Sequence, residues 1–486
     1  MKPRAAAAVR RSTAFCAALA LAALPAFGQA TPAANSTAAP AAANSTATPA
    51  TAAPAASPAP SPTRQARGGP QKIGGIQANS TVTSYKFAFG SGPAPDGCTL
   101  VSPDTAYSDK LGFGFDKGIK VSVVPKDKSA PNAGGVITAD SLIYFSTALP
   151  EGNYKVTVAL GNPDVATNTS VLAESRRLML ENVQTKPGEY VAKTFIVNTR
   201  RPQYPGGEVR LKGGPPNFRE DIQEAWDWDN GLTLEFIGDH PSIASLQIEK
   251  VNVPTVFVIG DSTSCDQMVE PYNSWGQTIT RFFKPDVAVA NHGESGETIG
   301  DNLSRNRFDK IWSLMKPGDY IFITSGHNER NGKNGNMAND QAFYDDFKKV
   351  VDQARKLGGI PVLVTPISRA PGGPSLGPYP GELKQLADAE KVAYIDLQVP
   401  TATFYRALPD FHVAFATPKE ATHNNDFGSY EVSKMVIAGI QQNNLPLAKS
   451  IVGDFKPLEP AHPDKPEDFK VVPTPKPAVA DKPPGS

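Results

Sequence analysis

The hydrophobic pattern of this chain changes character at Pro254, and that change constrains the fold more than any other feature. Between about residues 80 and 253 apolar and polar residues alternate over short stretches. Examples are Gly-Ile-Lys-Val-Ser-Val-Val (118–124), Tyr-Lys-Val-Thr-Val-Ala-Leu (154–160) and Leu-Thr-Leu-Glu-Phe-Ile (232–237). A period of two sends successive side chains to opposite faces of a strand. Turn-forming segments such as Leu-Pro-Glu-Gly-Asn (149–153) and Pro-Gly-Gly-Glu (205–208) separate these runs, and no amphipathic helix interrupts them. Residues 80–253 therefore read as an antiparallel β-sandwich.

After Pro254 the apolar runs become continuous and alternate with helix-period segments. The runs at 255–260, 287–290, 320–324, 361–365 and 392–396 have the pattern of strands buried on both faces of a parallel sheet. Helices are expected at 275–283, 308–315, 341–356, 383–390 and 428–442. Strand-helix alternation of this kind predicts a three-layer α/β/α domain over 254–450, with its chemistry at the carboxyl ends of the strands.

The ends of the chain have a different composition. Lys2, Arg4, Arg10 and Arg11 precede an apolar run from Ala14 to Leu24 and small residues at Gly28 and Ala30, the three-part pattern of a secretory signal peptide over 1–30. The run is short of the roughly 20 residues that span a bilayer, so no membrane anchor is expected after its removal. The protein is expected to be secreted or periplasmic. Residues 31–79, rich in Ala, Pro and Thr, are expected to form a disordered linker, and 451–486, rich in Pro and Lys, a disordered tail. Signal cleavage near Ala30 removes Cys16 and leaves Cys98 and Cys265, too few for a disulfide framework and without His or Cys neighbours at metal-ligand spacing. Neither a metal nor another cofactor is expected. Lys and Arg total 48 and Asp and Glu total 48, so no net field recruits nucleic acid.

Four polar clusters follow the expected strands. The first, Gly260-Asp261-Ser262-Thr263-Ser264, turns sharply and exposes a hydroxyl, although Asp and Ser are also ordinary turn and cap residues. The second, 289–298, offers Gly296, whose backbone N–H is open to a substrate; the third, 324–329, contains Asn328 with a side-chain amide donor. The fourth, 419–430, holds His423 three residues after Glu420, a spacing at which the carboxylate can orient one ring nitrogen while the other faces a hydroxyl. Together they supply a nucleophile (Ser262), a base (His423) with its orienting acid (Glu420), and oxyanion donors from the N–H groups of Ser262 and Gly296 and the amide of Asn328. Asp261, Thr263, His327 and Thr422 flank these residues and are expected to support them.

In this order the blocks resemble the GDSL/SGNH hydrolase superfamily, whose four signature residues match Ser262, Gly296, Asn328 and His423. Ser-Trp-Gly-Gln (274–277), Arg-Phe-Phe-Lys-Pro (281–285), Lys-Pro-Gly-Asp-Tyr (316–320) and Thr-His-Asn-Asn-Asp-Phe-Gly-Ser-Tyr-Glu (422–431) are similar to bacterial rhamnogalacturonan acetylesterases. Ser-Pro-Asp-Thr (102–105), Gly-Phe-Gly-Phe (112–115) and Glu-Ser-Arg-Arg-Leu-Met-Leu-Glu-Asn (174–182) resemble the β-sandwich often fused to them, with a galactose-binding-like topology. The resemblance implies a flavodoxin-like hydrolase domain and a serine esterase acting on an acetylated polysaccharide, with rhamnogalacturonan first and xylan or peptidoglycan fitting the same residues.

The family usually carries Asp-x-x-His where this chain has Glu420-Ala-Thr-His423, which leaves Asp426 and Asp410 as alternative partners of the histidine. Cys265 also departs from the family pattern; it reads as a small apolar filler, a partner for Cys98, or an oxidation-prone thiol. Two other functions compete: a carbohydrate-binding protein with a silent α/β half, and a lipid or thioester hydrolase. The polar, Gly- and Asn-rich loops at 293–298 and 325–337 favour a small acyl group on a hydrophilic substrate. Trp226 and Trp228 can either pack the sandwich or stack on a sugar; their position near the junction favours packing.

Overall fold

A computed structural model describes residues 76–475, apart from 117, 126–133, 213–223, 225, 226, 330–339 and 374. The expected signal peptide, most of the expected linker, Trp226 and residues 476–486 lie outside the described residues. Described strands of the first half are β1 (Ser84–Phe89), β2 (Thr99–Val101), β3 (Phe113–Phe115), β4 (Ser122–Val124), β5 (Val136–Thr138), β6 (Leu142–Ala148) and β7 (Gly152–Leu160). They continue with β8 (Thr167–Ala173), β9 (Arg177–Thr185), β10 (Val191–Thr199), β11 (Gln203–Tyr204), β12 (Gly207–Glu208), β13 (Gly231–Asp239) and β14 (Ser242–Val251).

One sheet has the order β10-β7-β14-β1-β2, extended by β5 and β4, and faces a second with the order β3-β6-β13-β8-β9. In β7 the alternation works as the sequence predicts: Tyr154, Val156 and Val158 are buried, while Lys155 and Thr157 are partly exposed. Phe87 and Phe89 meet Phe145 of the opposite sheet edge-on, with ring centroids 5.2 and 5.3 Å apart.

The outer face of the second sheet is also covered. Leu142, Tyr144, Leu172, Leu178 and Ile237 form a cluster with Val471, against which Tyr430 and Phe469 pack. Every residue of β6 is consequently buried. This corrects the expected tail: from 451 to 475 the chain lies on the protein as an irregular strap, and Thr474 Oγ1 donates a 2.7 Å hydrogen bond to Glu235 Oε1. Phe469 and Val471 supply the apolar anchors that the Pro/Lys-rich composition obscures. The linker needs a smaller correction at its end, where Ile76 is buried and its N–H donates to Asp229 Oδ2 at 2.9 Å.

The second half is built on β15 (Thr255–Ile259), β16 (Ala288–Asn291), β17 (Tyr320–Ile323), β18 (Ile360–Val364) and β19 (Ala393–Ile395). All neighbours are parallel and the order is β16-β15-β17-β18-β19, the flavodoxin-like order whose switch point lies beside the first strand. Alternate strand residues feed two separate cores. Val256, Val258, Phe322, Val362 and Val364 face one, and Phe257, Ile259, Ile321, Ile323 and Leu363 face the other.

Helices α1 (Trp275–Thr278), α2 (Ile299–Ser304), α3 (Arg307–Leu314), α4 (Asp340–Lys356), α5 (Tyr379–Glu390), α6 (Gln398–Ala407) and α7 (Asp426–Gln442) complete the layers. Helices α2 and α6 were not expected. The first is short and nucleated by a reciprocal cap between Thr298 and Asp301, and the second carries Pro400, Thr401 and Thr403, which obscure a helical period.

Candidate active site

Strand β15 delivers Gly260 to a position where a β-carbon would lie 2.5 Å from Thr324 Cγ2 and 2.7 Å from its carbonyl oxygen, so only glycine fits. The chain then turns tightly. Asp261 Oδ1 accepts from Thr263 N at 2.9 Å and Thr263 Oγ1 at 2.8 Å, and the Asp261 carbonyl accepts from the N–H groups of Ser264 and Cys265. This bracing by Asp261 and Thr263 leaves Ser262 between them, 5% exposed.

His423 arrives from the loop before α7, whose start is capped by Asn425 accepting from Gly428 N at 3.0 Å. Its Nε2 lies 2.8 Å from Ser262 Oγ, and its Nδ1 lies 3.2 Å from Glu420 Oε2. The other Glu420 oxygen accepts from the backbone N–H groups of Ala421 and Thr422, both at 2.9 Å, and of His423 at 3.3 Å. Burial disfavours the Glu420 charge, but the His423 contact and these N–H groups outweigh it and hold the carboxyl at about 2. The alternative acids are engaged elsewhere: Asp410 Oδ1 lies 2.8 Å from His412 Nδ1, and Asp426 accepts from Arg176 and Asn273.

The loops carrying Gly296 and Asn328 are tied to each other and to the turn that holds Ser262. Asn328 Nδ2 donates to the carbonyl of Glu297 at 2.9 Å, one residue beyond Gly296, which has a left-handed φ of +72°. Gln267 Nε2 donates to the Ser262 carbonyl and, at 3.2 Å, to Ser295 Oγ, joining the two loops from beneath. Glu329 accepts from Ile299 N at 2.8 Å and from Ser325 Oγ; burial raises its carboxyl to about 7 despite those hydrogen bonds. Gln267 and Glu329 carry no motif signal and were missed in the sequence.

His327 is fully buried, and burial, assisted by the charges of Arg369 and His423, lowers it to about 4, so its ring is neutral at pH 7. Arg369, also missed, links His327 to Thr422 by donating to the carbonyl of one and the hydroxyl of the other. Among the described residues, no cluster of three or more His, Cys, Asp or Glu side chains is arranged to hold a metal ion. Cys98 and Cys265 are both free thiols. Cys265 lies 3.6 Å from Ser295 Oγ, and burial beside Glu294 pushes its thiol well up, leaving it protonated.

Side chains from the sandwich reach the same loops. Arg200 donates to Asp266 at 3.0 Å, and Lys212 contacts the Ser295 carbonyl and, at 3.0 Å, Glu297. Trp228 packs among Arg200, Arg307 and His292, with guanidinium carbons 5.0 and 5.9 Å from its ring centre. Trp228 is thus a packing residue at the junction, as its sequence position indicates.

Residues 258–428 match the GDSL-like lipase/acylhydrolase family, and residues 85–189 match a β-agarase/YXIM esterase-like, galactose-binding domain-like family. The rhamnogalacturonan acetylesterase RhgT of Bacillus subtilis is 30% identical over 219 residues, spanning 40% of this chain and 94% of its own. The esterase YxiM of the same organism is 24% identical over 385 residues, 74% of this chain and 91% of its own. The crystal structure of YxiM aligns with 75% of this chain and 99% of its own at 22% identity, with a TM-score of 0.39. The chain belongs to the GDSL-like lipase/acylhydrolase family and is a carboxylic ester hydrolase that carries a galactose-binding-like domain ahead of its α/β half.

Proposed function

We propose that the protein is an exported serine acetylesterase that deacetylates a polysaccharide, with acetylated rhamnogalacturonan as its substrate. The 2.8 Å contact between Ser262 Oγ and His423 Nε2 carries this reading. In the first step Ser262 Oγ attacks the acetyl carbonyl carbon while His423 Nε2 takes the hydroxyl proton. The negative oxygen that develops is met by the N–H groups of Ser262 and Gly296 and by the Asn328 amide, and Glu420 stabilises the imidazolium. Collapse of the intermediate breaks the bond to the sugar oxygen, His423 returns its proton to that oxygen, and the acetyl group stays on Ser262. Water then attacks the acetyl carbon by the same proton route and frees acetate.

Two observations support the substrate. RhgT, at 30% identity, is named a rhamnogalacturonan acetylesterase. Beside the histidine loop, a groove of about 130 Å³ runs between one face of α6 and the loop that follows β18, lined by Ser368, Arg369, Gln398, Ala402 and Arg406 among others. None of its described lining residues is acidic, and no ion pair with Arg406 exists among the described residues. Such a groove suits the carboxylates of a uronate-containing glycan better than a neutral xylan. The signal-like pattern of residues 1–30 supports export, and no helix among the described residues is long and apolar enough to cross a membrane.

The test compares acetate release from acetylated rhamnogalacturonan and from acetylated xylan by the wild type and by Arg406→Gln. The reading expects a preference for the uronate polymer and a raised KM for it alone in the variant. Equal efficiency on both polymers, unchanged by Arg406→Gln, would contradict the substrate assignment.

A further inference from the structure

The hairpin between β8 and β9 ends in Glu174-Ser175-Arg176, which leaves the sandwich and inserts between two loops of the α/β half. Glu174 and Arg176 have φ of +55° and +62°, left-handed conformations that are unfavourable for a non-glycine residue. The hairpin is held in place from the other side: Gln277 Nε2 donates to the Ser175 carbonyl, and Thr280 Oγ1 donates to the Leu178 carbonyl at 2.6 Å.

Arg176 is 4% exposed, and both of its terminal guanidinium nitrogens donate to the α/β half. Nη1 donates to the carbonyls of Tyr272 at 2.6 Å and Gln267 at 3.4 Å; Nη2 donates to the carboxylates of Glu270 at 2.5 Å and Asp426 at 2.7 Å. The first three acceptors belong to the loop descending from Ser262. Asp426 opens α7, three residues after His423. The loops are also joined directly, because Asn273 N donates to the Asn424 carbonyl at 2.9 Å and Asn273 Nδ2 to Asp426 Oδ1 at 2.6 Å. The ring of Tyr272 packs edge-on against the imidazole of His423, with centroids 5.8 Å apart. One side chain of the sandwich thus fixes the carbonyl of the residue that buttresses the histidine and the carboxylate at the start of the helix behind it.

We propose that Arg176 is a positioning residue for the reaction, a guanidinium supplied by the β-sandwich that holds the nucleophile loop against the histidine loop and keeps Ser262 and His423 in register. This rests on the reading of Ser262 and His423 as the reacting pair. The galactose-binding-like half is then a component of the esterase site itself. Its second sheet turns its outer face toward α7 and the C-terminal strap, where Leu142, Tyr144 and Ile237 are buried with Val471.

A guanidinium that merely joins the two halves is distinguishable from one that aligns the site. Glu181 of β9 also bridges the halves, accepting from Arg281 at 2.9 Å and from Tyr430 of α7 at 2.8 Å, outside both the 420–425 turn and the 262–273 loop. Arg176→Met, Arg176→Lys and Glu181→Ala in the full chain are compared with the wild type by melting temperature, by kcat and KM on 4-nitrophenyl acetate, and by labelling of Ser262 with a phosphonate ester. The proposal expects Arg176→Met to lose kcat by roughly a hundred-fold with KM little changed, as a misaligned pair does. Added guanidinium ion restores part of that loss, and Glu181→Ala lowers the melting temperature while keeping kcat. If Arg176→Met does not fold, Arg176→Lys, which keeps the charge and loses the four-way fork, is expected to fold and to show the same selective fall in kcat. A folded Arg176 variant with wild-type kcat, or a loss of activity matched by the fraction of protein that has unfolded, overturns the proposal. A wild type whose hydrolysis of the aryl ester survives Ser262→Ala would instead count against the underlying catalytic reading.

Discussion

Glu420 divides its two carboxylate oxygens between its own backbone and His423. Oε1 accepts the N–H groups of residues 421 to 423, while Oε2 lies 3.2 Å from His423 Nδ1. The extra methylene relative to Asp is absorbed by that turn, which still leaves Oε2 within reach of the imidazole Nδ1. Replacing Glu420 with Gln leaves the turn its acceptor and removes the charge behind the imidazolium. We expect kcat to fall by roughly 10² or more with little change in KM.

The same residue gives a pH signature. Glu420 is held at about 2, below the ordinary 4.5, so the native state releases its proton at lower pH than the unfolded chain does. Its contribution to stability, reduced by solvent screening of a partly exposed carboxylate, is complete above about pH 4.5 and disappears as pH falls toward 2. Urea unfolding of the wild type should weaken across that window, and Glu420→Gln should lack this part of the slope.

Asn328 donates to the Glu297 carbonyl at 2.9 Å beside Gly296. Removal of its amide in Asn328→Ala is expected to lower kcat by roughly 10²–10³, about 3–4 kcal/mol of transition-state stabilisation, while KM changes little. Steady-state rates on an aryl acetate check this; a kcat equal to that of the wild type would remove Asn328 from the oxyanion site.

Much of the fold was legible because period-two and continuous apolar runs have direct steric meanings. Val256 and Val258 face one core and Phe257 and Ile259 the other, as a strand covered on both sides requires. The candidates Ser262, Gly296 and Asn328 stand out because each lies just after such a strand, and His423 because it precedes the last apolar helix with Glu420 three residues before it. The side chains that brace them do not. Gln267, Glu329 and Arg369 act through contacts with partners far away in the sequence or through backbone groups, and no local pattern marks them. Arg176 is the extreme case, 250 residues from Asp426. The strap at 451–475 was hidden for a compositional reason, since few apolar residues among many Pro and Lys anchor it.

That strap is expected to contribute to stability. Ending the chain after residue 465 removes Phe469, Val471 and the Thr474 hydrogen bonds to Glu235 and Glu270. Loss of these contacts should cost about 2–4 kcal/mol and lower the melting temperature. Calorimetry of the two chain lengths checks it; equal melting temperatures would mean that the strap contributes nothing.

The central claim is that Ser262, activated by His423 at 2.8 Å, carries the acetyl group during hydrolysis. Acetate released from acetylated rhamnogalacturonan by the wild type and by Ser262→Ala tests it most directly. The account predicts sustained release by the wild type and a fall of roughly 10⁴ or more in the variant, with its fold intact by circular dichroism. Acetate release by folded Ser262→Ala at a rate near that of the wild type would contradict it.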